Sequence, residues 1–173
     1  MKNKKYIILI SALSCISILS LVACKVQYSF TGASIAPEVK TVSIQQFNNV
    51  SAMVVPMLSP YLTEALQDKF SRSTGLVPVR EDGDMAFEGM ITNYTSTPTA
   101  VTGDQYASQN RLTITVKVKF TNRIQPKMSF DKSFSAYQDY DNTQLLQQVE
   151  GALIPEIVDQ IVDEIFNASA SNW

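Results

Sequence analysis

The chain has 173 residues, with 14 Lys and Arg against 16 Asp and Glu, two cysteines and no histidine. The missing histidine removes Ser-His and Cys-His nucleophile pairs together with the commonest transition-metal ligand. The six glycines form no Gly-rich phosphate loop, and a mildly acidic balance without a basic run makes a poor nucleic-acid binder.

The chain opens Met1-Lys-Asn-Lys-Lys and continues without a charge from Tyr6 to Val22, a run of 17 residues. Three lysines, an apolar stretch and small residues behind it are the pattern of a secretory signal peptide. The competing reading is an uncleaved anchor, but 17 residues lie at the bottom of the range for a spanning helix. Leu21-Val22-Ala23-Cys24 also matches the bacterial lipobox, in which the thiolate of the cysteine takes up a diacylglycerol and small residues precede the cut. The expectation is therefore removal of residues 1–23, lipid attachment at Cys24, and one domain over residues 24–173 behind a short tether. Cys15 leaves with the signal, so no thiol remains for a disulfide, a metal or catalysis. Lys2, Lys4 and Lys5 leave too, so 11 cations face 16 acids. General attraction to anionic head groups is then absent, and acyl chains must do the anchoring, at about 0.8 kcal/mol per buried methylene.

After Cys24, Tyr28 and Phe30 lie on one side of a short extended segment. Lys40-Thr-Val-Ser-Ile-Gln45 alternates as a first strand; Phe47 falls out of phase, which places a bulge or strand end near Gln46. Asn48 to Val55 reads as a connector. Ser59-Pro60 predicts a helix start, with Ser as N-cap and Pro at the first position. Leu58, Leu62, Ala65, Leu66 and Phe70 form its apolar face, and Gly75 is the expected left-handed cap. Glu81-Asp82-Gly83-Asp84 is a turn cluster. Met85 to Tyr94 is a second strand, with Gly89 marking a bulge or a close neighbour. Residues 95–110 read as a long polar connection of the kind that is functional or mobile. Arg111 to Phe120 alternates strictly, one face apolar and the other Thr and Lys. Met128 to Ala136 keeps the alternation except at Lys132, which signals an edge or a bulge. A last helix starts at Asp141-Asn142, with Leu146, Val149, Leu153, Ile157, Ile161 and Ile165 as its stripe. Pro155 predicts a kink or break in it.

The order is β-α-β-β-β-α. It suits an α+β two-layer sandwich: a four-stranded, mostly antiparallel sheet with two helices on one face. The last three strands would form a meander, and a crossover through the first helix would make the first strand parallel to a neighbour.

Carboxylate pairs such as Glu81/Asp82/Asp84 and Asp139/Asp141 are candidates for acid–base chemistry. They sit in turn-like sequence, where such residues cap turns and face water. No enzymatic activity, cofactor or metal is expected.

Several stretches, taken in order, carry a resemblance: Tyr28-Ser-Phe-Thr-Gly-Ala-Ser34 behind Cys24, Thr41-Val-Ser-Ile44 leading to Phe47, and Leu62 to Phe70. Phe87-Glu-Gly-Met-Ile91, Asn110 to Val116, Lys119-Phe-Thr121, Phe130 to Phe134 and Ile161 to Phe166 complete the set. With these the chain resembles the lipopolysaccharide-assembly lipoprotein family LptE, in its Bacteroidetes-type branch, over essentially the whole of residues 24–173. The resemblance implies a four-stranded sheet with two helices packed against it. It also implies a non-enzymatic role at the outer membrane: plugging the LptD β-barrel, helping it fold, and passing lipopolysaccharide to the outer leaflet. Lys25 after the lipobox and the lack of an acidic run there fit an anchor at the outer membrane facing the periplasm. Pro155 departs from the family's helical pattern.

A lipopolysaccharide binder wants Lys or Arg beside an exposed apolar strip. Arg111, Lys117 and Lys119 share the polar face of one strand, and Arg123 and Lys127 flank the next turn. These five are the candidate lipopolysaccharide-binding residues. The plainer reading is that they are the solvated side of the sheet and protect it from aggregation. A lipoprotein cofactor of a cell-wall synthase is the alternative function. It would need a long linker to cross the periplasm, and only about 15 residues separate Cys24 from the first strand.

Overall fold

A computed structural model describes residues 35–99 and 109–171. The signal segment, Cys24, Tyr28, Phe30 and much of the 95–110 connection lie outside the described residues. The elements are β1 (Thr41–Ile44), β2 (Asn48–Asn49), α1 (Leu58–Ser73), β3 (Val77–Val79), β4 (Met85–Pro98), β5 (Gln109–Asn122), a 3-10 turn (Pro126–Met128), β6 (Phe130–Asp141) and α2 (Leu146–Ala170). Among the described residues no helix is long and apolar enough to cross a membrane.

The α+β class holds, but the sheet is six-stranded and mixed. Its order is β3-β1-β4-β5-β6, with β2 pairing β4. β1 runs parallel to both β3 and β4, and β2 parallel to β4; β4, β5 and β6 make the antiparallel meander. The two extra strands are two and three residues long. A period-2 pattern needs at least four residues to register, so neither was visible as periodicity. Both ends of the expected 95–110 connection are strand: Thr95–Pro98 extends β4 and Gln109–Asn110 begins β5, with Thr99 N–H closing onto the Gln109 carbonyl at 2.8 Å.

One face of the sheet carries Phe87, Ile91, Leu112, Ile114, Val116, Val118 and Phe120, all buried, and the helices pack on it through Leu58, Leu62, Leu66, Phe70, Ile157, Ile161 and Ile165. A row of rings crosses this core: Phe166 of α2 to Phe70 of α1 (5.1 Å between centroids), Phe70 to Phe87 (4.9 Å), Phe87 to Phe120 (4.7 Å) and Phe120 to Phe130 (5.1 Å). Tilted, edge-on and offset-stacked pairs at these spacings add to what their buried area contributes.

Four local expectations are corrected. Ser59 is not the N-cap of α1. The helix begins at Leu58 with Met57 at the cap position, and Ser59 Oγ instead donates to the Phe47 carbonyl. Thr63 Oγ1 accepts the Phe47 N–H at 3.2 Å, so the backbone of the out-of-phase residue is bound to α1 on both sides. Gly75 does not take a positive φ; Thr74 closes the helix, its N–H and hydroxyl both donating to the Phe70 carbonyl, at 3.0 and 2.7 Å. The last helix starts at Leu146, not at Asp141, whose carboxylate accepts the Thr143 N–H at 2.8 Å in the preceding turn. That helix is not broken at Pro155. The carbonyl that loses its donor belongs to Gly151, which is exposed, so water can take the place of the missing N–H.

Lys132 does mark an edge, since β6 is the outer strand. Gly89 has the close neighbours expected of it: a Cβ there would lie 2.4 Å from the Lys117 carbonyl oxygen and 2.5 Å from the Phe47 ring. The irregularity in β4 comes after it, between Ile91 and Asn93, and shifts the inward-facing positions from Phe87 and Ile91 to Tyr94.

Candidate functional site

The acidic clusters are structural. Asp84 accepts the N–H groups of Lys40 and Thr41 at 2.8 and 2.9 Å, and its own N–H donates to Thr41 Oγ1 at 2.9 Å, so the turn before β4 closes the start of β1. Asp82, at φ 59°, pairs with Arg123 through its carboxylate and accepts from the same guanidinium at its carbonyl, at 2.9 Å. The carboxyls of Asp84, Asp139 and Asp141 are all held below the ordinary carboxylate range. The first cause is, respectively, the Lys40 backbone N–H, the Arg111 guanidinium and the Thr143 hydroxyl. A general acid near neutrality needs the opposite shift. Among the described residues no three acidic or cysteine side chains gather as metal ligands.

The shifts set an acid limit on the fold. A carboxyl with a folded pKa below its unfolded value of about 3.9 contributes stability that is complete above that value and lost as pH falls through the folded one. The urea midpoint should therefore drop on going from pH 5 to pH 3. Asp84→Asn should lower the midpoint at pH 7 and flatten that acid slope. An unchanged slope would show that the Asp84 contacts do not carry the linkage.

The face of the sheet away from the helices is open and polar. Arg111, Thr113, Thr115, Lys117 and Lys119 of β5 line it, flanked by Glu88 and Met90 on β4 and by Asp131, Ser133, Ser135, Tyr137 and Asp139 on β6. The five predicted cations do not form one cluster. Arg111 and Lys119, eight residues apart on a strand, are separated by roughly 26 Å, and Arg123 and Lys127 lie beyond the strand end. Their surroundings also differ. Arg111 makes two bonds to Asp139, 2.7 and 2.9 Å, and lies 3.7 Å from the Tyr137 ring centre. Arg123 is tied to Asp82. Lys117 and Lys119 make longer contacts, 3.3 Å to Asp131 and 3.6 Å to Glu88, and are half-exposed. Lys127 is exposed in the 3-10 turn and has no ion pair among the described residues.

Lys117 and Lys119 border a shallow cleft of about 340 Å³ with Gln45, Gln46, Asn48, Glu88, Gly89, Met90 and Asp131. The register explains why these residues meet. β2 pairs Asn48 with Met90, and β4 pairs Met90 with Lys117 and Glu88 with Lys119. Two lysines held by loose, half-exposed pairs beside three side-chain amides can exchange those acids for phosphate oxygens more readily than Arg111, which is held by two short bonds to Asp139. Sequence reasoning found the lysines but not the amides, because only the pairing of the two-residue β2 brings them together. Two larger clefts lie elsewhere. One, between the helices, is lined by Tyr61, Arg72 and the Lys69–Asp163 pair (2.6 Å); the other lies between α1 and the β1–β3 edge, beside Gln67 and Arg80.

A protein-family model described as LptE, lipopolysaccharide-assembly, matches residues 39–169, well over half of the chain. The chain belongs to the LptE family. LptE-family proteins are non-enzymatic outer-membrane lipoproteins of lipopolysaccharide assembly. No curated protein matches the chain at a significant level. Among solved structures, a hypothetical protein from Chlamydia trachomatis is 9% identical, with 78% of this chain and 99% of that one covered at a TM-score of 0.52. A minor lipoprotein from Acinetobacter baumannii is 16% identical (73% and 89% covered, TM-score 0.47), and the rare lipoprotein B from Shewanella oneidensis 14% (75% and 92%, TM-score 0.45). The first of these supports the fold alone; the other two add no argument.

Proposed function

We propose that this LptE-family chain loses residues 1–23, is lipidated on Cys24, and stands on the periplasmic side of the outer membrane as one domain over residues 24–173. There it plugs and assists an LptD-type barrel and takes part in moving lipopolysaccharide to the outer leaflet. The family match over residues 39–169 carries this reading. The open sheet face supports the plug: its charges are neutralised across strands by Glu88–Lys119, Lys117–Asp131 and Arg111–Asp139, and such a polar surface suits the polar interior of a large barrel. Lys117 and Lys119 are the proposed contacts to lipopolysaccharide phosphate; Arg111, Arg123 and Lys127 lie away from that cleft and are left as secondary candidates.

The deciding experiment is a mild-detergent pull-down of the tagged chain from outer membranes. A large β-barrel recovered in equal amount supports the plug; a cell-wall synthase in its place would sink it in favour of the alternative. Cys24→Ser should abolish incorporation of a labelled fatty acid into the chain. Lys117→Glu with Lys119→Glu should weaken lipopolysaccharide binding by at least about tenfold, since each charge-assisted contact contributes roughly 1.5–3 kcal/mol.

A further inference from the structure

From Thr41 to Thr63 the chain carries no charge. Within that span the loop between β2 and α1 holds Val50, Met53, Val54 and Met57 in solvent, from 50% exposed at Met53 to 73% at Met57, with Tyr61 exposed on the first turns of α1. A run of large apolar side chains on one surface loop marks a binding surface more than chance exposure does. The loop is also held in shape. Asn49 Oδ1 accepts from Ser51 N–H (3.1 Å) and hydroxyl (2.6 Å), Ser51 Oγ contacts the Met53 carbonyl at 2.6 Å, and Leu58 N–H closes onto the Val55 carbonyl at 3.1 Å. These bonds turn polar groups of the loop onto one another. What remains outward is apolar, and the two methionines can adapt to a partner of irregular shape.

What selects the occupant is the loop's neighbour. β2 lies between the loop and the lysine cleft: Asn48 lines the cleft opposite Met90, itself 41% exposed, and Val50 begins the loop with its N–H on the Ile91 carbonyl at 2.9 Å. A cleft with three amides, whose two lysines are held only by long contacts to Asp131 and Glu88 and can turn to an anion, therefore continues into an uncharged apolar loop. A bilayer-binding loop would want Lys or Arg within it, and this one has none. The complementary molecule is a single amphiphile with an anionic sugar-phosphate head and several acyl chains. We propose that the Val50–Met57 loop is the acyl-chain contact for lipopolysaccharide whose phosphorylated head lies at Lys117 and Lys119. This rests on the lipid-transport reading above and adds a second, apolar half to it.

The test is photocrosslinking in living cells with the full-length lipidated chain, carrying p-benzoylphenylalanine in place of Met53, Met57, Ser133 (opposite Lys117) or, as a control on the far side of α2, Glu156. Lipopolysaccharide adducts are expected at Met53, Met57 and Ser133 and not at Glu156. Replacing Met53, Val54 and Met57 together by Ser should cut the Ser133 adduct by about tenfold, because the buried apolar area is lost. Unchanged chain level and barrel recovery would show that the variant folds. Adducts at Ser133 with none in the loop would overturn the inference while leaving the lipid-transport reading in place. A protein adduct at Met53 or Met57 would overturn it too and make the loop a docking site for a protein. No lipopolysaccharide adduct at any position would overturn both.

Discussion

Gly89→Ala should destabilise the domain by about 3 kcal/mol, at the upper end of what a single added methyl costs in a packed core. The added Cβ would lie 2.4 Å from the Lys117 carbonyl oxygen and 2.5 Å from Cε1 of Phe47. Neither neighbour can yield cheaply. The carbonyl belongs to the central β4–β5 ladder. The ring is fully buried, and its backbone is bound to Ser59 and Thr63 of α1. Gly89 is thus the slot that lets Phe47, which comes from outside β1, lie flat on β4. A double-mutant cycle checks this. Phe47→Ala alone should cost roughly 3–5 kcal/mol through the cavity it leaves. In the Gly89→Ala background the same change should cost clearly less, because one of the two clashes goes with the ring. Additive costs in urea unfolding would mean that Phe47 and Gly89 are not packed as described.

The two residues also show how far the sequence could be read. Phe47 was visibly out of phase and Gly89 visibly odd in a strand, but their meeting depends on the parallel pairing of β2 with β4, and two residues of β2 leave no periodic trace. β5 was legible because Leu112 to Phe120 alternate without a break, and the helix stripes because Leu62, Leu66 and Phe70, or Ile157, Ile161 and Ile165, repeat at helical spacing. β3 was hidden by its length and by Pro78, which reads as a breaker and is tolerated because β3 is an edge. Ser59-Pro60 misled by satisfying a capping pattern while the serine hydroxyl was needed by Phe47. At the site, the lysines were legible as one face of β5, but their acids were not. Glu88 and Asp131 lie on two other strands, and only the register pairs each of them opposite or beside a cation. Asn48 to Val55 reads as a connector because it has no period, so neither β2 nor the exposed apolar run that continues to Met57 shows in the sequence. Exposure is a property of the fold.

Phe70→Ala should be the most damaging single change in either helix, costing about 4 kcal/mol and lowering the melting temperature by roughly 10 °C or more for a domain of this size. Phe70 is fully buried and is the ring through which α1 meets both other parts of the core: Phe87 on the sheet at 4.9 Å and Phe166 on α2 at 5.1 Å. Truncation leaves a cavity facing β4 and α2 at once. Closing it would pull apart neighbours that the Phe87–Phe120 stack and the Lys69–Asp163 pair hold in place. Phe70→Leu keeps most of the volume and should cost less than half as much, since it loses ring geometry more than buried area. Phe166→Ala, with its ring at the outer end of the same row, should fall between the two. If Phe70→Ala and Phe70→Leu unfold at the same urea concentration, the loss is one of ring contacts and not of volume, and the cavity argument fails. If Phe70→Ala costs under about 2 kcal/mol, the site has collapsed, and the row of rings is not the rigid centre of this domain.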